Sequence, residues 1–503
     1  MPSLIKRGET NVRFEMTSAG RDKSDAADGL QKHDTNWWLH RINLASLISN
    51  LEENLIDRDK AVRIIKAMRS VEDASEKGEL PKFNTYIHFE PEILKRAGMD
   101  CSVMHVGRSS QDILATVEFG LNKERIAAAV EQIARIQKSL CDLAERESGK
   151  VVPAYTNGVQ ALPESYSHYI LAFARAFSRE TERFIQCFSR YDVCPMGAGV
   201  LNGTAWPLNR KRIADLLGFA APSENSFDAG QIAGNTLPLE LSQIVVSVMT
   251  LISEFLADFS AQYHHSYPWV VLDLSGSTYV SSAMPQKRNP GFVNDLRRDC
   301  SFVTSEAISW LLRLQNLPTG MPDERDEPLI NELSKDVKSV LGRFDRVVNG
   351  LRVKEENALK EIASDWTCTQ EIADRFVLKG IDFRTGHGFA SSLVTWARAH
   401  SKTPETTLYE EVCEIWKDFQ KERAEMPFPL SEEEFKAALN PRAIVEGRQT
   451  AGSCSAEEVR KLLKTERNHI EDAASFVQRF TESQETFLKT LDQAAKEIGG
   501  GND

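Results

Sequence analysis

Between residues 121 and 150 apolar side chains recur at Ile126, Val130, Ile133, Ile136, Leu140 and Leu143, at intervals of three and four. That spacing puts them on one stripe of a 3.6-residue helix and predicts a long amphipathic element. The stretch 236–263 is patterned differently: Leu239, Leu241, Ile244, Val245, Val248, Ile252, Phe255 and Phe259 are only part of an apolar set that covers nearly every face. A helix apolar all round needs neighbours all round. At about 1.5 Å per residue it runs to about 40 Å, so those neighbours must be other long helices, from the same chain or from further copies of it.

Helical spacing continues over 163–190, 209–217, 290–317 and 329–351, and sustained period-two alternation is scarce. The expected fold class is all-α, with three mostly helical domains and a central long-helix bundle that assembles into a multi-subunit core. Pro and Gly clusters at 194–203, 267–276 and 317–328 punctuate the pattern. After about residue 365 the helices become shorter and more charged, which divides the chain into 1–116, 117–364 and 365–503. Residues 1–29 are polar, with no apolar run, and are expected to form a poorly ordered arm rather than a secretory leader.

A chain of 503 residues is long enough for two to four folding units. No window reaches 18 uninterrupted apolar residues, so no transmembrane helix is expected. The net charge of −12, with no basic stripe, argues against nucleic acid, although a local cationic pocket could still hold an anion. Eight scattered cysteines, without a Cys-x-x-Cys pair or a His cluster at ligand spacing, predict neither zinc nor a disulfide framework. Reduced thiols in a cytoplasm fit best.

The chemistry concentrates in residues 275–290, SGSTYVSSAMPQKRNP. Small, hydroxylated and glycine residues here precede a predicted helix that Pro290 is well placed to start. Such a run presents hydroxyl and N–H groups to an anion, and Lys287 and Asn289 add a cation and an amide. Taken alone, a Ser/Gly run of this kind is more often a surface loop. The order SSAMPQKRNP is less generic. It resembles the signature loop of the aspartase/fumarase superfamily, Gly-Ser-Ser-x-Met-Pro-x-Lys-x-Asn, with Val280 where that pattern has glycine.

Further segments resemble the argininosuccinate lyase branch of that superfamily in the same order. His105-Val-Gly-Arg-Ser-Ser-Gln-Asp112 is similar to His-Thr-Gly-Arg-Ser-Arg-Asn-Asp, with Ser110 and Gln111 replacing arginine and asparagine. Tyr155-Thr-Asn-Gly158 is similar to Tyr-Thr-His-Leu, with Asn157 in place of the histidine usually given a proton-transfer role. MGAGVLNGT, APSENSFDA and AGSCSAEEVR have counterparts as well, so the resemblance spans roughly 88–460.

The resemblance implies anti elimination of an amine from an N-succinyl group, releasing fumarate. Ser281 would be the base, with Lys287, Asn289 and Thr156 stabilising the doubly charged aci-carboxylate. Arg108, Ser109, Ser110, Asn157, Ser282, Met284 and Lys354 would line the substrate. Lys354, taken alone, is more often a solvated helix-end charge. No cofactor or metal is implied; a homotetramer is, with each site built from the Arg108, Thr156 and Ser281 regions of three subunits.

Asn157 cannot shuttle a proton at neutral pH, and segment 318–328 is shorter than in argininosuccinate lyases, with Met321 where their tyrosine falls. Both departures favour an aminocarboxylic acid substrate, as in ethylenediamine-N,N′-disuccinate lyase or the synthases of aspergillomarasmine-type compounds. Argininosuccinate, or a catalytically silent member like the related lens crystallins, are the alternatives. His168 is expected to be a packed, hydrogen-bonded histidine, and a metal at His264 and His265 is not expected.

Overall fold

The computed structural model describes residues 29–272, 278–320, 327–420 and 426–499. The expected N-terminal arm, Gly276 of the signature loop and Met321 lie outside the described residues. Three short helices, α1 (Thr35–Glu52), α2 (Arg58–Glu76) and α3 (Tyr86–Ala97), lead through a 3₁₀ turn (Met99–His105) into α4 (Ser110–Arg146). Ser109 starts α4 with a capping box: its hydroxyl accepts from Gln111, and Asp112 accepts the Ser109 N–H at 2.7 Å. The helix therefore begins well before the stripe first visible at Ile126 and runs unbroken through residue 116.

Strands β1 (Val151–Thr156) and β2 (Val159–Ser165) form an antiparallel hairpin before α5 (Tyr166–Tyr191). The helical spacing expected from 163 thus starts three residues later, because Pro163–Ser165 pair with Val151–Pro153. β3 (Val193–Cys194), α6 (Arg210–Leu216), β4 (Ala221–Pro222) and a π-helical turn (Asp228–Ile232) lead into α7 (Ala233–Tyr263). β5 (Val270–Leu272), the ribbon β6 (Tyr279–Val280) and β7 (Arg288–Asn289), α8 (Gly291–Arg313), α9 (Glu327–Gly350) and β8 (Leu351–Val353) complete the central region. β5 pairs antiparallel with β8.

Successive long helices run antiparallel. Gln137 of α4 donates to Ser178 of α5, and Ser167 at the start of α5 donates to the Ala144 carbonyl near the end of α4. Phe173 meets Phe255 across α5 and α7, while Arg190 pairs with Glu240 at their other ends. One continuous apolar core joins α1–α5, α7–α9 and the 44-residue α16 (Ala456–Gly499), which lies back along α2, α4 and α5. A second core belongs to α11 (Thr369–Leu378), α12 (Phe383–Ala399), α13 (Tyr409–Phe419) and α14 (Glu432–Ala438), around Phe376, Phe389 and Trp416. Between the two, α10 (Glu355–Ala363) and α15 (Pro441–Glu446) pack on the hairpin. The cysteines are all unpaired.

Within one chain the burial of α7 is incomplete. It is the one described helix long and apolar enough to cross a membrane, yet it packs against α5 and α8. Leu239, Gln243, Val246, Thr250, Ser253 and Ala257, spaced alternately by four and three, stay half-buried or exposed. That spacing puts them on one face of the helix, with Leu239, Val246 and Ala257 as its apolar members. On α8, Phe302 and Leu312 are 53% and 67% exposed, so apolar surface continues beside it.

Two glycines test the packing. A methyl group at Gly120 in α4 would overlap the Trp38 indole, whereas one at Gly342 in α9 meets nothing within 4 Å. Gly120→Ala is expected to lower the thermal unfolding temperature, because overpacking of about 1–3 kcal/mol outweighs the helix-propensity gain. Gly342→Ala is expected to raise it, by about 1 kcal/mol of propensity alone.

Candidate active site

Ser281 lies in a tight turn closed by the β6–β7 ribbon, in which Tyr279 faces Asn289 and Val280 faces Arg288. The Ser281 N–H donates to the Lys287 carbonyl at 3.1 Å, and the Lys287 N–H donates to the Met284 carbonyl at 3.0 Å. The Ser281 hydroxyl oxygen receives the N–H groups of Ala283 (3.4 Å) and Met284 (3.2 Å). Serine favours such a turn because its short side chain reaches backbone donors two and three residues on. The chemical consequence is that two fixed dipoles already point at the oxygen that would carry charge as an alkoxide.

Ser282, Met284 and Lys287 are exposed and Asn289 is half-buried. Arg288 is spent locally: its guanidinium donates to the Pro285 carbonyl at 2.7 Å, and its own carbonyl accepts the Tyr263 hydroxyl at 3.1 Å. Gly291 lets the ribbon sit directly on the start of α8, since a side chain there would strike the Tyr279 ring. Pro290 occupies the N-cap position, as its fixed φ allows.

The second group of residues sits at the start of α4. Arg108 is only 8% exposed, and its guanidinium turns inward, donating to Asn43 Oδ1 (2.9 Å) and to the Tyr86 hydroxyl oxygen (3.0 Å). His105 stacks on the same Tyr86 ring; burial, reinforced by Arg108, holds its pKa down. Arg108 thus supports the helix start, and Ser109 and Ser110 are its half-buried outward members. Asp112 ties this end together. Besides the Ser109 N–H, it accepts those of Gly197 (3.0 Å) and Gly199 (3.1 Å). Burial pushes the Asp112 pKa up, against the pull of those three donors.

The glycine-rich segment so held is strained. Val200, a β-branched residue, has φ +72°, and its carbonyl lies where a side chain on Gly230 would be, inside the π-helical turn. Positive φ in a residue of this type, and π turns, both concentrate at functional sites.

The third group is the tip of the β1–β2 hairpin. Thr156 pairs with Val159 across a two-residue turn in which Asn157 has φ +52° and Gly158 φ +75°. Two consecutive positive φ values define a type I′ turn, for which Asn-Gly is the preferred pair. Asn157 therefore has a backbone reason to stand where the resembling sequences have histidine. The Asn-Gly dipeptide between Val- and Leu-containing runs was a hairpin signal in the sequence, hidden by the prolines at 153 and 163.

Within one chain the first of these groups is held away from the other two. Ser109 and Asp112 stand at the first turn of α4, which has 37 residues and is about 55 Å long. At its far end Arg146 donates to the Leu351 carbonyl, and Leu351 pairs with Leu272, just ahead of the signature loop. The hairpin begins at that same far end. Lys354 is exposed at the N-cap of α10. Among the described residues, no group of three or more His, Cys, Asp or Glu side chains is placed to hold a metal.

The family model described as Lyase matches residues 44–304, just over half of the chain, and the chain belongs to this lyase family of the aspartase/fumarase superfamily. It is a fumarate-forming carbon–nitrogen lyase. Argininosuccinate lyase of Pelotomaculum thermopropionicum is 28% identical over 389 residues, covering 77% of this chain and 81% of that protein. Argininosuccinate lyase of Methanosarcina barkeri is 28% identical over 437 residues, 86% of each chain. In fold, the chain superposes on a variant of EDDS lyase with bound fumarate at a TM-score of 0.85. That match has 20% identity and covers 98% of this chain and 96% of that one.

His168 links the hairpin end to the C-terminal region. Its ring nitrogens lie 3.1 Å from Glu164 and 3.0 Å from the Gly452 carbonyl, but it is half-buried rather than packed in the core. The Glu164 hydrogen bond raises its pKa above 6.5. A raised folded pKa stabilises fully below the unfolded value and is lost as pH rises through the folded one. The stability difference between wild type and His168→Gln, measured by thermal unfolding, is therefore expected to be largest near pH 6 and to shrink at alkaline pH.

Proposed function

We propose that the chain cleaves an N-succinyl amine or aminocarboxylic acid to fumarate and the free amine, with Ser281 as the base. The observation that carries this is the Ser281 hydroxyl held by the N–H groups of Ala283 and Met284. Serine is too weak an acid to be a base unaided. Two donors aimed at its oxygen, in a loop that a bound substrate would dehydrate, lower the cost of the alkoxide.

The alkoxide removes the proton beside a carboxylate. Charge then builds on that carboxylate, where Lys287, Asn289 and Thr156 supply a cation and two hydrogen-bond donors. Collapse of the carbanion expels nitrogen on the opposite face, and fumarate results. The reaction runs equally in reverse as amine addition.

Ser109 and Ser110 stand at the opposite end of α4 from the other two groups, and one face of α7 is left incompletely buried. Both features support a homotetramer in which antiparallel copies bring the Ser109, Thr156 and Ser281 regions together, with Arg108 behind the first of them. Asn157 and Ser110, which replace a proton carrier and a cation in the resembling sequences, support a small dicarboxylate amine over argininosuccinate. The names of the curated relatives favour argininosuccinate as the second reading.

Incubating the protein with fumarate and ammonia, arginine, aspartate, ethylenediamine or 2,3-diaminopropionate, and following fumarate absorbance, is expected to show consumption with diamines or amino acids. Ser281→Ala is expected to lose about 10³-fold or more of that rate. Turnover of argininosuccinate alone would establish the second reading, and a Ser281→Ala rate near wild type would remove serine from the mechanism. Mixed assemblies of Ser281→Ala and Thr156→Ala chains are expected to recover part of the activity that each variant lacks alone, because some sites then draw both intact residues from different copies.

A further inference from the structure

Ser109 and Ser110 stand between two points at which one distant segment grips the chain. On one side is Gly107, with φ +78°, packed so closely that a side chain there would meet Trp206 Cβ at 3.2 Å and Leu208 Cδ1 at 3.0 Å. On the other is Asp112, whose Oδ2 accepts the N–H groups of Gly197 (3.0 Å) and Gly199 (3.1 Å). Residues 197–208 thus clamp both ends of the stretch that carries the two serines.

Helix capping accounts for only half of what Asp112 does. The capping box uses Oδ1, which accepts the Ser109 N–H at 2.7 Å. An exposed carboxylate would cap as well, whereas Asp112 is wholly buried, and a buried charge is costly unless its hydrogen bonds are made. Both oxygens are in use, and all three donors are backbone N–H groups. The turn on the far side is itself strained. Gly199 has φ +59°, with the Gly203 carbonyl oxygen 2.7 Å from where a side chain would start, and Val200 follows at φ +72°. The Val200 carbonyl is gripped from behind by Gln231 Nε2 at 3.2 Å. Strain that the surroundings hold in place from two sides is a mark of sites that must be placed accurately.

We propose that Asp112 is a positioning residue of the active site: its carboxylate locks the first turn of α4 to the 197–203 turn, and so fixes Ser109 and Ser110 where they receive the dicarboxylate half of the substrate. The proposal rests on the lyase reading above. Asp112 touches no reacting atom; it acts through the Ser109 backbone. Ser109 and Ser110 offer hydroxyls at the positive end of a 37-residue helix, which suits a carboxylate rather than an amine. The dicarboxylate is common to fumarate and to every N-succinyl amine, so loss of the lock weakens fumarate binding whatever the amine. Asparagine cannot replace the carboxylate. Its amide has the same shape but a single acceptor oxygen, and its NH₂ group would face an N–H donor on one side or the other.

The test uses the full-length protein, with wild type, Asp112→Asn, Gln231→Met, Gly120→Ala and Ser281→Ala assayed in the addition direction with fumarate and the amines named above. KM is measured separately for fumarate and for the amine. Asp112→Asn is expected to raise KM for fumarate about tenfold, to leave KM for the amine unchanged and to lower kcat less than about threefold. Gln231→Met, which releases the Val200 carbonyl but keeps Asp112, is expected to raise KM for fumarate about threefold. Gly120→Ala, far from both turns, shows what destabilisation alone does: a lower unfolding temperature with both KM values unchanged.

An Asp112→Asn protein whose KM for fumarate stays within about twofold of wild type, with kcat lost only in proportion to the folded fraction, would make Asp112 a structural cap and overturn the proposal alone. A KM that rises equally for fumarate and amine would do the same. Should Asp112→Asn fail to fold, Gln231→Met decides, an unchanged KM for fumarate overturning the proposal and a selective rise supporting it. Absence of any Ser281-dependent fumarate consumption in wild type would overturn the lyase reading and the proposal with it.

Discussion

The antiparallel packing of α4 against α5, and of α5 against α7, holds the chemistry-bearing segments of one chain apart. Hydrogen bonds and ion pairs at both ends set the register, from Ser167 with the Ala144 carbonyl to Arg190 with Glu240. A stiff rod about 55 Å long cannot bring its own two ends together. Everything placed at those ends inherits the constraint: the serines that open α4 stand at one, the hairpin and signature loop at the other. The incompletely buried face of α7 is its counterpart, because a helix apolar on most faces needs neighbours on most faces.

At each end, backbone N–H groups rather than side-chain charge shape the electrostatics. Asp112 gathers three of them and so fuses the start of α4 with the strained Gly197–Gly199 turn. Ser281 gathers two in the same sense, as donors to its hydroxyl oxygen. A net charge of −12 does not oppose the anion-binding role proposed for this loop, because amides fixed by a tight turn need no reorganisation and are not cancelled by distant carboxylates. The inward turn of Arg108 follows the same economy, with the guanidinium bracing Tyr86 and Asn43 behind the helix start.

Much of the fold was legible in the linear pattern. The 3.6-residue stripe of α4, the all-round apolar run of α7 and the shorter, more charged helices after residue 365 are local properties, and the structure carries each as a helix. The hairpin was not legible, because Pro153 and Pro163 mask a turn that the Asn157-Gly158 pair specifies. The early start of α4 also escaped, since its first turns are set by the Ser109–Asp112 capping box rather than by apolar spacing.

The sequence by itself determined the residues of the signature loop and the resemblance they carry, because a serine, a lysine and an asparagine at set intervals are written within nine consecutive positions, 281–289. It also determined that long helices would dominate, since periodicity reports on each helix alone. Only the tertiary structure decided that Arg108 faces inward, that Asn157 serves a positive-φ turn, that the two ends of α4 cannot meet, and that Asp112 and Gly199, 87 positions apart, are joined by a hydrogen bond. Those outcomes depend on which helix faces pack together and in what register, and no local pattern along the chain encodes a distance between residues that far apart.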